Sequence, residues 1–172
     1  MISDFTKQFP AFSAALGESN VRALVGATSK VELPAYRKLI RDRMPVDSIY
    51  FLMSGEVSVS VEEGGNQIPL GNIGPGQWLG EISVLSGEML ASSTVTTVTP
   101  VTLLRLKHQA FEDLLGRNEI LAKAILGQLI NIMSDRLRVS LNAGNIAVTA
   151  AEIETPPKRV GLLWALFGGS GG

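Results

Sequence analysis

Few side chains in this sequence can do proton or metal chemistry. There is one histidine, His108, and no cysteine. Thiolate nucleophiles, disulfide scaffolds and thiolate metal sites are therefore excluded, and a centre of two or three imidazoles cannot be assembled. A Ser-His-Asp arrangement needs a single imidazole, but nothing in the spacing nominates its partners. No pair of carboxylates stands out as a glycosidase pair either. The densest chemical signal lies in the backbone: Gly74-Pro75-Gly76-Gln77-Trp78-Leu79-Gly80, followed by Glu81-Ile82-Ser83-Val84-Leu85-Ser86-Gly87. Its third glycine comes one place too late for a dinucleotide fingerprint, and no long helix follows. A single helical turn after Gly80 would instead aim unpaired N–H groups at an anion.

The elements around this segment have to be built from 172 residues, 45% of them hydrophobic, with Lys+Arg 15 against Asp+Glu 16 and a net charge of −1. That suffices for one core with a little to spare, and the balanced charge disfavours general nucleic-acid binding. Charged residues make up 18%, below the roughly 25% of ordinary soluble domains, which leaves apolar surface for a partner. The longest apolar stretch, residues 160–167, is far short of the roughly 20 residues that cross a bilayer. The first residues lack a cationic start with an apolar run, so a cytoplasmic location is expected.

Phe5, Phe9 and Phe12 recur at helical spacing, and Asn20 can cap a further helical segment over residues 21–26. From residue 31 to 106 the pattern changes to short β-branched runs broken by Gly, Pro and Asn, the pattern of a sandwich or barrel. Strands are predicted over 48–53, 56–61, 67–70, 92–98 and 101–106, with Val57, Val59 and Val61 on one face of the second. After Lys107 the helical period returns. His108 opens a short helix and is assigned no chemistry. Asn118 caps a long helix with Gly144 as its stop. That helix carries two adjoining apolar stripes, Leu121, Ile125, Leu129, Ile132 and Leu126, Ile130, Met133, Leu137. A stripe this wide suits pairing with a second copy through Leu121, Ile125, Leu129, Ile132 and Leu137; burial on its own domain is the competing account.

The ordered combination of Tyr50-Phe51-Leu52-Met53-Ser54-Gly55-Glu56-Val57, the Gly-Pro-Gly step, the Gly80-Glu81 cassette and Ser92-Ser93-Thr94-Val95 resembles the cyclic nucleotide-binding domain of catabolite-activator-like regulators, kinase regulatory subunits and gated channels. The resemblance covers roughly residues 10–142. It implies a mainly β fold: an antiparallel, jelly-roll-like β-roll with N-terminal helices and a long C-terminal helix. It also implies a ligand site at Gly80, Glu81, Ile82, Ser83, Ala91 and Ser92. In the family the cassette glutamate accepts from the ribose 2′-hydroxyl, which places Glu81 there, and amides near Ile82 and Ser83 face the cyclic phosphate. Glu81 also has a ligand-free account, since a carboxylate at a helix start is stabilised by the local dipole.

The sequence departs from the family where the phosphate-binding arginine belongs. Matching the following strand puts Ala91 there, and matching the loop from Gly87 puts Leu90 there; neither is basic. Losing one partner of such a charge-assisted pair costs about 2–5 kcal/mol, roughly 30-fold to several thousand-fold in affinity. Between Arg43 and Arg105 there is no Lys, Arg or His, while Asp47, Glu56, Glu62, Glu63, Glu81 and Glu88 bring six negative charges. Family glycines near two further positions are replaced by Tyr36 and Arg43, which suggests altered turns. Arg37, Lys38, Arg41 and Arg43 form a basic run best read as a charged, solvated edge strand. Trp78 reads as core.

Residues 1–144 are thus expected to form the domain, and 145–172 a linker with an apolar tail. In that tail Leu162, Leu163, Trp164, Leu166 and Phe167 suit docking to a protein partner or membrane surface, or packing back on the roll. The segment after the long helix lacks a helix-turn-helix pattern, so nucleic acid is not an expected partner. Cupin-like metalloenzymes share such rolls but need clustered imidazoles, which this roll lacks; no catalytic or metal residue is assigned. The expectation is a non-enzymatic regulatory or interaction module with weak or lost cyclic nucleotide binding. The alternative is a genuine cAMP or cGMP sensor that acts through Glu81 and its terminal helix.

Overall fold

The computed structural model describes residues 1–85 and 89–150. Met1–Ile125 forms one compact unit, and a second begins at Leu126. Three short helices open the chain, α1 (Ile2–Gln8), α2 (Pro10–Leu16) and α3 (Glu18–Gly26). Eight strands follow: β1 (Ser29–Leu33), β2 (Lys38–Ile40), β3 (Ser48–Ser54), β4 (Val57–Glu63), β5 (Asn66–Ile73), β6 (Trp78–Leu79), β7 (Thr94–Thr97) and β8 (Val101–Lys107). A one-turn helix, α4 (Glu81–Leu85), sits between β6 and β7, and α5 (His108–Arg117) and α6 (Glu119–Ala150) end the described chain. The β-roll and its flanking helices are as the sequence implies.

Two antiparallel four-stranded sheets, in the orders β1-β8-β3-β6 and β2-β7-β4-β5, make the roll. Their facing sides supply one apolar cluster: Ile40, Val57 and Val95 from one, Leu52, Leu79, Val101 and Leu103 from the other, with Val46 and Ala91 from connecting segments. The outer side of the first sheet is also covered. Phe5 and Phe9 meet Phe51 at 5.4 and 5.7 Å, and Phe12 meets Trp78 at 5.0 Å between ring centroids. Double coverage explains the near-continuous apolar runs of β3 and β8, whereas in β4 Val57 is buried and Ser58, Val59, Ser60 and Val61 are all half-buried. Trp78 is core, as read from the sequence.

Three local expectations change. Asn20 lies inside α3 rather than capping it; the helix starts after Gly17, and Asn20 Nδ2 donates back to the Leu16 carbonyl at 2.8 Å. Gly144 does not stop α6, which runs on to Ala150, because a lone glycine costs a helix only about 1 kcal/mol. Tyr36 and Arg43 do not alter their turns: they keep left-handed φ of 63° and 59°, where glycine is the natural resident. The reason is the bonding around them. Tyr36 N donates to Thr97 O at 2.7 Å while Thr97 N donates to Arg37 O at 2.9 Å. Likewise Arg43 N donates to Ala91 O at 2.8 Å while Ala91 N donates to Met44 O at 2.9 Å. Each is a bulge in which two residues oppose one, a geometry that demands the left-handed conformation at the first. Asn118 does cap α6: its Oδ1 accepts from Leu121 N at 3.1 Å.

Candidate functional site

The site is assembled where β6 turns into α4. Gly76, at φ +84°, lets this turn pass under α1: a Cβ there would stand 2.9 Å from the Gln8 carbonyl oxygen. Gly80, at φ +77°, reverses the chain against β3; a Cβ on it would lie 2.7 Å from Ser48 O and 3.2 Å from Val46 Cγ1. Two requirements therefore make Gly80 a glycine, backbone angle and space. Glu81 follows as the first residue of α4 and is 2% exposed. Ser83 is buried as well, and its carbonyl accepts from Met89 N at 3.0 Å, which ties the start of the return segment to the cassette.

The return segment decides how the anion end of such a site is furnished. It runs beside the residues after β2: Val46 N donates to Met89 O at 2.7 Å, and Pro45 bridges Leu90. Ala91 is 5% exposed and belongs to the apolar cluster inside the roll, with Ile40, Val46, Leu52, Leu79 and Val95. Leu90 faces out at 49% exposure. Of the two positions left open for an arginine, Ala91 is the one turned inward. Ser92 is half-buried beside it. The main chain of Ile82 lies in α4, and its side chain lies outside the described residues.

Arg37, Lys38, Arg41 and Arg43 are all exposed, and none makes an ion pair among the described residues. This is the charged edge expected of β2. One cation is tied to the Gly80 corner, and the sequence reading missed it. Arg105 Nε donates to Ser48 Oγ at 2.9 Å, and its Nη2 lies 3.3 Å from Asp47 Oδ1. Ser48 Oγ in turn donates to Asp47 Oδ1 at 2.8 Å, and that bond, followed by the Arg105 charge, holds the Asp47 carboxyl below its ordinary range against the opposing effect of burial. Burial pushes the neighbouring Tyr50 phenol up. Arg105 is thus occupied by Asp47. Its signal was an arginine in the apolar strand VTLLRLK, on the face shared by Val101 and Leu103.

On the long helix, Leu121, Ile125 and Ile132 are buried at 0%, 2% and 7% exposure. Among its described side chains, the large apolar ones left in solvent are Ile120, Leu126 and Ile130, at 61%, 59% and 64%. The side chains of Leu129 and Leu137 lie outside the described residues, as do the tail residues Leu162, Leu163, Trp164, Leu166 and Phe167. Among the described residues there is no metal-binding cluster of acidic, histidine or cysteine side chains, and no helix long and apolar enough to cross a membrane.

The match to the cyclic nucleotide-binding domain model spans residues 30–118, and the chain belongs to that family. A cyclic nucleotide-binding domain from Methylobacillus flagellatus superimposes with a TM-score of 0.71 at 20% identity, over 86% of this chain and 88% of that one. The catabolite activator protein of Thermus thermophilus gives 0.65 at 22% identity, over 77% and 62%. In sequence, the chain is 32% identical to glutaminase 2 of Bradyrhizobium diazoefficiens over 77% of its own length and 20% of the glutaminase. It is 32% identical to the type II regulatory subunit of cAMP-dependent protein kinase of Drosophila melanogaster over 46% of its length and 21% of that subunit. The chain thus spans about a fifth of these curated relatives.

Proposed function

We propose that this chain is a non-enzymatic regulatory or protein-interaction module in which the cyclic nucleotide site is weakened or lost. The observation that carries the reading is Ala91, buried in an apolar cluster at the place where the resemblance requires a cation. A phosphate brought there loses water and meets no guanidinium, and an unpaired buried charge is strongly disfavoured. The alternative, a working cAMP or cGMP sensor, is favoured by Glu81, buried directly after a glycine turn of the required shape. A cytoplasmic setting and the absence of a nucleic-acid partner belong to the same proposal. So does a homodimer through α6: Leu121, Ile125 and Ile132 of the expected seam are buried, so the exposed Leu126 and Ile130 are proposed as its contact instead. The tail at 160–167 is proposed as a docking segment for a protein partner or membrane surface.

Calorimetric titration of the full chain with cAMP and with cGMP separates the two readings. Little or no binding is expected for the unaltered chain, with gain of binding in Ala91→Arg but not in Leu90→Arg. Submicromolar binding that is lost in Glu81→Ala would establish the sensor instead.

A further inference from the structure

We propose that Asn20 and Asn118 form an amide latch that makes α3 and the first turn of α6 open and close together. Four groups line up in one hydrogen-bonded chain. Leu121 N donates to Asn118 Oδ1 at 3.1 Å, Asn118 Nδ2 donates to Asn20 Oδ1 at 2.5 Å, and Asn20 Nδ2 donates to the Leu16 carbonyl at 2.8 Å. The backbone partner at each end fixes which way each amide points: Leu121 needs an acceptor and Leu16 a donor. The two side chains are left presenting a donor to an acceptor. Neither residue is doing the usual work of its type. Asn20 is buried in the first turn of α3, where its side chain bonds across Gly17 to the last carbonyl of α2, and Asn118 is an N-cap that reaches beyond its own helix.

The location gives the contact its consequence. Asn118 is the single extended residue between α5 and α6, at φ −147° and ψ 99°, so the chain changes direction there. A pivot held only by local bonds would swing; this one is held by an element 98 residues earlier in sequence. The same helical group carries the other end of a link to the cassette. Gln8 lies against Gly76, and Phe12 packs on Trp78, two residues before Gly80. The N-terminal helices therefore touch both the turn that leads into the Gly80-Glu81 site and the start of the long helix. On the regulatory reading above, and resting on it, a displacement of the start of α6 must carry α3 along or break the latch.

Native-state hydrogen exchange on the full chain without ligand tests the latch independently of that reading. Asn20→Ala removes the distal partner, and Asn118→Asp keeps the cap acceptor for Leu121 while removing the donor to Asn20. Each is expected to accelerate exchange at the Leu121 and Ala122 amides by about three- to tenfold, the loss of one neutral hydrogen bond. β8 amides should change less, and the double variant should be no faster than the faster single one. Unchanged exchange at Leu121 and Ala122 in Asn20→Ala, acceleration uniform over α6 and β8, or fully additive effects in the double variant would overturn the latch. Calorimetry with the two nucleotides reports separately on the ligand reading, so either can fail alone.

Discussion

Replacing Tyr36 and Arg43 by glycine, singly and together, is expected to stabilise the protein. Both residues hold left-handed backbone, at φ 63° and 59°, which costs an L-residue about 1–2 kcal/mol. Glycine removes that cost and returns about 0.4–1 kcal/mol of it through the greater freedom of the unfolded chain. Almost nothing is given up in contacts: the Tyr36 side chain is 84% exposed, and Arg43 is exposed with no ion pair among the described residues. Each single variant should therefore gain about 0.5–1 kcal/mol. The two positions bond to different residues, Thr97 and Ala91, so the pair should add to within about 0.5 kcal/mol. For a chain of this size the melting temperature should rise by about 2–4 °C per kcal/mol. Urea unfolding with an unchanged slope is the companion assay, since the slope reports the surface exposed and that is not altered. A double variant no more stable than the parent would refute the reasoning. It would mean that the two bulges are not strained by their side chains, and that the departures from glycine have no energetic consequence.

The remaining expectations are shorter. Gly80→Ala should destabilise by about 2–4 kcal/mol in thermal unfolding, combining left-handed strain with the overlap on Ser48 O; a shift under half that size would show that the β3 edge yields. Asp47 titrates below its ordinary 3.8 in the folded state, so it contributes stability above that value which is lost as pH falls through the depressed one. Asp47→Asn should accordingly be less stable than the parent at neutral pH and converge with it in acid, as followed by urea titrations at stepped pH. A gap that persists at low pH would assign the effect to packing. Leu126→Glu combined with Ile130→Glu should convert a dimer to monomer in sedimentation equilibrium while leaving the β-sheet circular dichroism intact. An unchanged mass would take these residues out of any dimer contact.

Much of the roll was legible because its signals are local. β-branched runs broken by glycine and proline, the Val57-Val59-Val61 alternation, Asn118 before an amphipathic run and the Gly80-Glu81 pair each depend on near neighbours, and β3, β4, β5, β7 and β8 follow them, whereas β1 and β6 were not read as strands. What tertiary structure alone decided concerns partners distant in sequence. Bonds to Thr97 and Ala91 force left-handed backbone on Tyr36 and Arg43, whatever their own preference. The bonds that tie residues 89–91 to residues 43–46, not the motif, turn Ala91 inward and Leu90 outward. Asn20 reads as a cap from its neighbours, yet it serves Asn118 because folding brings α3 to the start of α6. Arg105 reads as a stray charge until β8 is laid beside β3 and Ser48. Composition and periodicity specify which segments form and which face of each is apolar; which side chains then meet is specified by the packing of all of them at once, since a core admits few arrangements without voids or unpaired polar groups.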